Sequence, residues 1–203
     1  MCYTCIKAKP ENEVMTMPER SNDRRAQKTR KALTNALSEL LTEKQLHKIT
    51  VQEICDKADV NRGTLYRHYL DVYDLYDKIE KETILSFGLL MLELEEQPAD
   101  TFFKKIIGYI SENRSIFEMV FSPNTTGQLR GKLSEIIKGV FMQKQLEKGE
   151  NNISETELGY MCSYRAQGCI AVIADWVTGG YKEPEALIIE IISKLDSNTE
   201  RII

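Results

Sequence analysis

One run of twenty residues, TVQEICDKADVNRGTLYRHY at positions 50–69, constrains this chain more than any other stretch. Its length and punctuation leave room for two short helices and a tight turn. Thr50 precedes an apolar-periodic segment and Glu53 follows three residues later. That spacing is a capping box, in which a hydroxyl and a carboxylate each satisfy an orphan backbone N–H. Val51, Ile54, Cys55 and Ala58 then recur at helical spacing and give the first helix one apolar face. Asp59 stands where the chain must turn, and Asp tolerates the left-handed conformation that such a turn requires. Val60 returns to the core, and Asn61 suits the N-cap of a second helix.

That second helix, expected over 62–69, can bury Leu65 and one aromatic ring, Tyr69. It leaves Arg62, Thr64, Tyr66, Arg67 and His68 exposed. These are hydrogen-bond donors and cations around one ring, a set that suits base edges and phosphates. The competing reading is a solvated helix on an ordinary helical protein.

The pattern T-V-x-x-I-x-x-x-A-x-V-N-x-G-T-L-Y-x-H-Y resembles the DNA-binding segment of the TetR/AcrR family of bacterial transcriptional regulators. The likeness is specific over positions 24–85 and architectural beyond. The family usually carries a small residue in place of Cys55, Gly for Asp59, Ser for Asn61 and Phe for Tyr69, and all four replacements are mild. Val72 departs further, because the family often has a phosphate-binding Lys there. The resemblance implies that Thr50, Thr64, Tyr66 and His68 touch phosphates or nearby base edges, with Lys28 on a phosphate. Arg62 is the candidate for base readout, bidentate to guanine. Arg67 can serve either role, Asn61 completes the set, and Gly63 lets the backbone approach DNA.

Charge supports a division of labour. Positions 20–70 hold 11 Lys and Arg against 6 Asp and Glu, whereas positions 71–203 hold 14 against 22. A basic head on an acidic body is what a DNA-binding domain joined to another domain should show. The expected organisation is a flexible tail over 1–22, a helix-turn-helix domain over 23–70, and a ligand-binding and dimerisation domain over 71–203. No apolar run approaches the roughly 18 residues that span a bilayer, and the N-terminus lacks a signal-peptide plan. The chain therefore reads as cytoplasmic, with no membrane partner.

The expected fold is all-α, about nine helices, with an N-terminal three-helix domain and a larger helical body. The first helix is expected over 23–43, with Arg24, Arg25, Lys28, Arg30 and Lys31 crowding its first turns against the macrodipole. Asp71 should cap a fourth helix reaching about 96. Helices follow over 99–113, 114–121 and 127–148, then two more over 155–177 and up to about 197. Ser154 with Glu157 is a second capping box.

Phe87, Met91, Phe103, Ile107, Phe117 and Phe121 are either plain core or the lining of an adaptable apolar pocket. Tyr164 or Arg165 would supply its polar contact to an unknown, apolar or aromatic inducer. Gly168, Ala171, Val172, Trp176, Ile188, Ile191, Ile192 and Leu195 make the last two helices apolar on more than one side. A homodimer through a four-helix bundle is the favoured reading, and a buried helix pair is the alternative. The W-x-x-G-G-Y ending resembles a C-terminal domain of regulators from low-GC Gram-positive bacteria.

The family implies a repressor that binds an inverted-repeat operator as a dimer and releases it when an inducer fills the body. A co-activator type, whose body binds a partner protein, is the alternative. Two histidines, no carboxylate pair, no nucleophile elbow and no phosphate loop argue against an enzyme. No cofactor is implied. Cys2 and Cys5 form half a zinc site without a second pair, so no metal is expected.

Overall fold

The computed structural model describes residues 19–94, 97–149 and 153–200. Among them the framework is nine helices: α1 (Glu19–Glu43), α2 (Val51–Ala58), α3 (Arg62–Tyr66), α4 (Val72–Leu94), α5 (Ala99–Glu112), α6 (Arg114–Phe121), α7 (Gln128–Lys148), α8 (Glu155–Thr178) and α9 (Glu185–Glu200). A single 3-10 turn, Leu46–Lys48, joins α1 to α2, and the described residues contain no strand.

Two boundaries differ from expectation in ways that matter. Helix α1 begins at Glu19, so residues 19–22 are helical rather than tail, while positions 1–18, with Cys2 and Cys5, lie outside the described residues. Lys28 and Arg30 therefore sit well beyond the first turn, where the macrodipole has faded. Their clustering needs another reason than the helix end. Helix α3 stops at Tyr66, three residues early. The backbone N–H groups of His68 and Tyr69 both bond to the Leu65 carbonyl at 2.9 Å, which tightens the last turn and closes the helix. The chain must then swing into α4. Leu70 N donates to Asp74 Oδ2 at 2.8 Å, and Asp74 N donates to Asp71 Oδ1 at 2.8 Å.

The head packs α1, α2, α3 and the start of α4 around Leu33, Leu37, Leu41, Ile54, Leu65 and Leu75, all fully buried. Burying each such side chain contributes about 1.5–3 kcal/mol. One member of this core comes from the body: Met119 of α6 is fully buried among the head residues. The loop after α6 tightens the joint. Ser122 Oγ and Asn124 Nδ2 both donate to the Leu41 carbonyl, at 3.0 and 2.8 Å. Leu46 N returns a bond to Asn124 O at 3.1 Å.

The body core runs through α4 to α9. Phe87, Met91, Phe103, Ile107, Phe117 and Phe121 are all buried in it, stacked with Phe102, Tyr109 and Phe141. Across α8 and α9, Arg165 and Asp196 form a buried pair, with the Phe141 ring 4.2 Å from the guanidinium carbon. Burial also pushes the Cys169 thiol up to about 12, with the Asp196 charge a smaller cause. Cys55, Cys162 and Cys169 are buried thiols. No described helix is long and apolar enough to cross a membrane.

Candidate nucleic-acid interface

The two-helix unit is built by its caps. Thr50 has extended backbone geometry and its side chain accepts from Glu53 N at 3.3 Å. Glu53 Oε2 in return accepts from Thr50 N at 2.9 Å and from Thr50 Oγ1 at 2.8 Å. Lys44 adds an ion pair to the same carboxylate. Led by the Lys44 hydrogen bond and then by the Thr50 backbone, these contacts hold the Glu53 carboxyl at about 2. Asp59 makes the turn at φ 51°, ψ 47°, the left-handed geometry expected of it. Asn61 Oδ1 then accepts from Gly63 N at 2.8 Å and opens α3.

These contacts sort the expected DNA-facing residues into two sets. Lys28, Arg62, Gly63, Tyr66 and His68 are exposed, with Tyr66 at 55%. Thr50, Asn61, Thr64 and Arg67 are already engaged. Both donors of Thr50 go to Glu53. The Asn61 side chain is spent on the cap. Arg67 Nη2 donates to Thr64 Oγ1 at 3.0 Å, and Arg67 Nε to Gly63 O at 3.4 Å, which lays the guanidinium along the helix. A phosphate would have to share these groups with their present partners.

Gly63 has a steric reason to lack a side chain. A Cβ built there would stand 3.3 Å from Asn61 Oδ1 and press on the cap. Val72, where the family often has Lys, has its side chain buried in the head core. Sequence reading missed Lys78. Its ammonium donates to His68 O at 2.8 Å, pairs with Asp74 at 3.0 Å and lies 5.2 Å from the centre of the Tyr69 ring. It therefore pins the turn after α3 to α4. The Asp74–Lys78 spacing of four was the readable signal.

The basic start of α1 belongs to the same surface. Ala26, Gln27, Thr29 and Arg30 line a cleft of about 180 Å³ together with His68 and Tyr69. Arg30 also pairs with Glu82 on α4.

The other two expected sites fare differently. Among the best-formed clefts of the described residues, none is lined by Phe87, Phe103, Ile107, Phe117 or Phe121. These side chains fill the space between helices. Tyr164 points outward at 71% exposure, and Arg165 is held by Asp196 at 2.9 Å through both Nε and Nη2. Tyr164 thus faces solvent, while Arg165 lies against Phe141 at the edge of the aromatic cluster with its guanidinium committed to Asp196. Of the expected dimer residues, Trp176, Ile188 and Ile192 are buried in the chain's own core. Trp176 Nε1 donates to Glu183 O at 2.9 Å. Gly168, Ala171 and Leu195 are exposed, and Val172 and Ile191 are half-buried. With Tyr160, Tyr164 and Leu187 they leave an apolar outer face on α8 and α9.

Comparison with known proteins agrees with this architecture. Residues 33–77 match the family described as bacterial regulatory proteins, tetR family, and residues 98–197 match a transcriptional regulator C-terminal region. An uncharacterized HTH-type transcriptional regulator, YxbF of Bacillus subtilis (strain 168), is 26% identical over 161 residues, covering 75% of this chain. The chain spans 40% of the length of that curated relative. The dihydroxyacetone kinase operon activator DhaS superposes with a TM-score of 0.59 at 18% identity, covering 86% of this chain and 97% of that one. FadR from Bacillus subtilis in complex with stearoyl-CoA gives 0.57 at 18% identity, covering 81% and 96%. With the capped two-helix unit and both matches in hand, the chain belongs to the tetR family of DNA-binding, helix-turn-helix transcriptional regulators, with a C-terminal domain of the Gram-positive type.

Proposed function

We propose that the chain binds an inverted-repeat operator as a homodimer and acts there as a repressor whose occupancy an effector controls. The observation that carries this reading is α3 itself. It is short, capped at Asn61 and polar outward, and it sits beside a basic stretch of α1. Lys28, Arg62, Gly63, Tyr66 and His68 are the contacts that cost no internal bond, and Arg62 at the helix N-terminus is the base reader. The exposed apolar face of α8 and α9 is the dimer surface, with Gly168 and Ala171 admitting close helix approach. A two-fold dimer sets its recognition helices about 34–36 Å apart, or a multiple of that, and so selects a palindrome.

The effector is an apolar or aromatic small molecule that enters the body by displacing side chains of the closed core. The stearoyl-CoA bound by one neighbour of the same fold supports testing acyl compounds first. The closed packing around Phe87 and Phe117 also favours the second reading, regulation by a partner protein on the outside of the body. Selection from a genomic fragment library at two salt concentrations, followed by footprinting, tests the DNA reading. A palindromic footprint with affinity falling steeply in salt is expected, and no specific fragment would overturn it. Release of that fragment by a small molecule, with purified protein alone, separates the two effector readings. Because one neighbour is named an operon activator, transcription from the footprinted promoter decides the sign.

A further inference from the structure

The outer face of the body carries a second apolar surface, away from α8 and α9. Leu85, Leu89 and Leu92 project from α4 at 65%, 59% and 68% exposure. Their spacing of four and three residues puts them on one helical face. Ile136 and Val140 of α7 form the opposite wall of a groove of about 490 Å³. The two helices run in the same direction, since Lys132 meets Glu80 at one end and Lys144 donates to Gln97 O at the other. Gly88 and Gly139 face this groove, and a Cβ built on either would meet nothing within 4 Å. Three exposed leucines in one row are more than scattered surface apolarity.

The charges along α4 name the occupant. Lys81, one turn before Leu85, makes no salt bridge with a described residue, and Glu93, which follows Leu92, stays largely exposed although Lys105 of its own chain pairs with it at 3.3 Å. The row is thus basic at its head end, apolar in the middle and acidic at its far end. An antiparallel copy of the same row is its complement. With a two-fold axis at the level of position 87, Leu85 lies against Leu89 of the second copy and Lys81 against its Glu93. The same two pairs recur on the other side, as an isologous contact requires. We infer that this α4–α7 groove takes a second copy of the chain, packed antiparallel through α4. Helix α4 has 23 residues, a length of about 34 Å, with its head at one end. Antiparallel pairing therefore points the two heads in opposite directions. Such a contact joins regulators on separate DNA segments and cannot complete one operator.

Sedimentation equilibrium of the full chain over a dilution series tests this. Leu89→Glu should halve the assembly mass while leaving the helical circular dichroism signal intact, because Leu89 is a surface residue. The same halving should appear in a chain that also carries Ala171→Arg on the α8 face, which separates this contact from the proposed operator dimer. Lys81→Glu and Glu93→Lys should each weaken the association about fivefold, and the double variant K81E/E93K should restore it. Equal masses for wild type and L89E overturn the inference, whatever else the groove then binds. Failure of the charge swap to restore association overturns the antiparallel pairing.

Discussion

Arg165 and Asp196 meet inside the body as a two-toothed pair, guanidinium Nε and Nη2 each 2.9 Å from a carboxylate oxygen, across a separation of 31 residues. Both side chains are about 95% buried, so removing one partner strands a charge in the core. Arg165→Ala or Asp196→Ala should lower the unfolding free energy by about 3–5 kcal/mol. Replacing both with apolar residues of similar size should cost far less. Urea denaturation of the three variants decides it, and single variants within about 1 kcal/mol of wild type would show that the pair is not holding α8 to α9.

The Asn61 cap should be separable from DNA chemistry. Asn61→Ala removes the acceptor for Gly63 N and should cost about 1 kcal/mol of stability. Asn61→Ser, the residue the family usually carries, should recover most of it. A fully stable N61A in thermal unfolding would mean that α3 does not depend on its cap.

Arg62 and Lys28 should fail differently on DNA. Arg62→Ala should lose about 1–3 kcal/mol on the preferred operator and relax discrimination at one base position. Lys28→Ala should weaken all sequences alike and lower the salt slope by about one. Equilibrium binding across salt concentrations and single-base operator variants separates the roles. An R62A that weakens every sequence equally would move Arg62 to the phosphate set.

Acid should loosen the helix starts first. Glu53 is held at about 2 by Lys44 and the Thr50 groups, and Glu157 is also lowered, first by the Ser154 backbone. Both carboxyls are more acidic in the folded chain than the ordinary value near 4.3. Their contribution is therefore full above about pH 4.3 and is lost as the pH falls below that, for Glu53 through about 2. Thermal unfolding between pH 2 and 6 should show wild type losing its margin over Glu53→Gln as the pH drops. A margin unchanged across that range would mean that the carboxylate is not what the cap requires.

What could be read from the sequence was the local chemistry. Thr50 with Glu53, Ser154 with Glu157, Asp59 and Asn61 each answer to partners within four residues, and each took the geometry its type favours. Helical periodicity likewise identified apolar faces on α4, α8 and α9. It could not say what covers a face. Trp176, Ile188 and Ile192 turn inward while their neighbours Ala171 and Leu195 turn outward, and the sequence reading assigned all five to one interface. Tyr164 and Arg165 adjoin in sequence, but successive helix positions point about 100° apart. One therefore reaches solvent and the other a carboxylate whose distance along the chain no periodicity reports. The leucine row on α4 was passed over for the converse reason. Leu90 and Met91, which face inward among the same residues, masked a second stripe.

Met119 gives the joint between head and body an evolutionary meaning. The floor of the DNA-reading unit is contributed from a point about fifty residues downstream of that unit, and the Leu41 carbonyl depends on Ser122 and Asn124 for its bonds. Cutting at the start of α4 and grafting this head onto another regulator would leave a methionine-shaped hole and an unsatisfied carbonyl. Recombination between relatives should therefore succeed only where α6 and its following loop travel with the head, or where the recipient already carries a side chain of that shape. The inheritable unit is a discontinuous one, and shuffling of operator specificity within the family has to respect it.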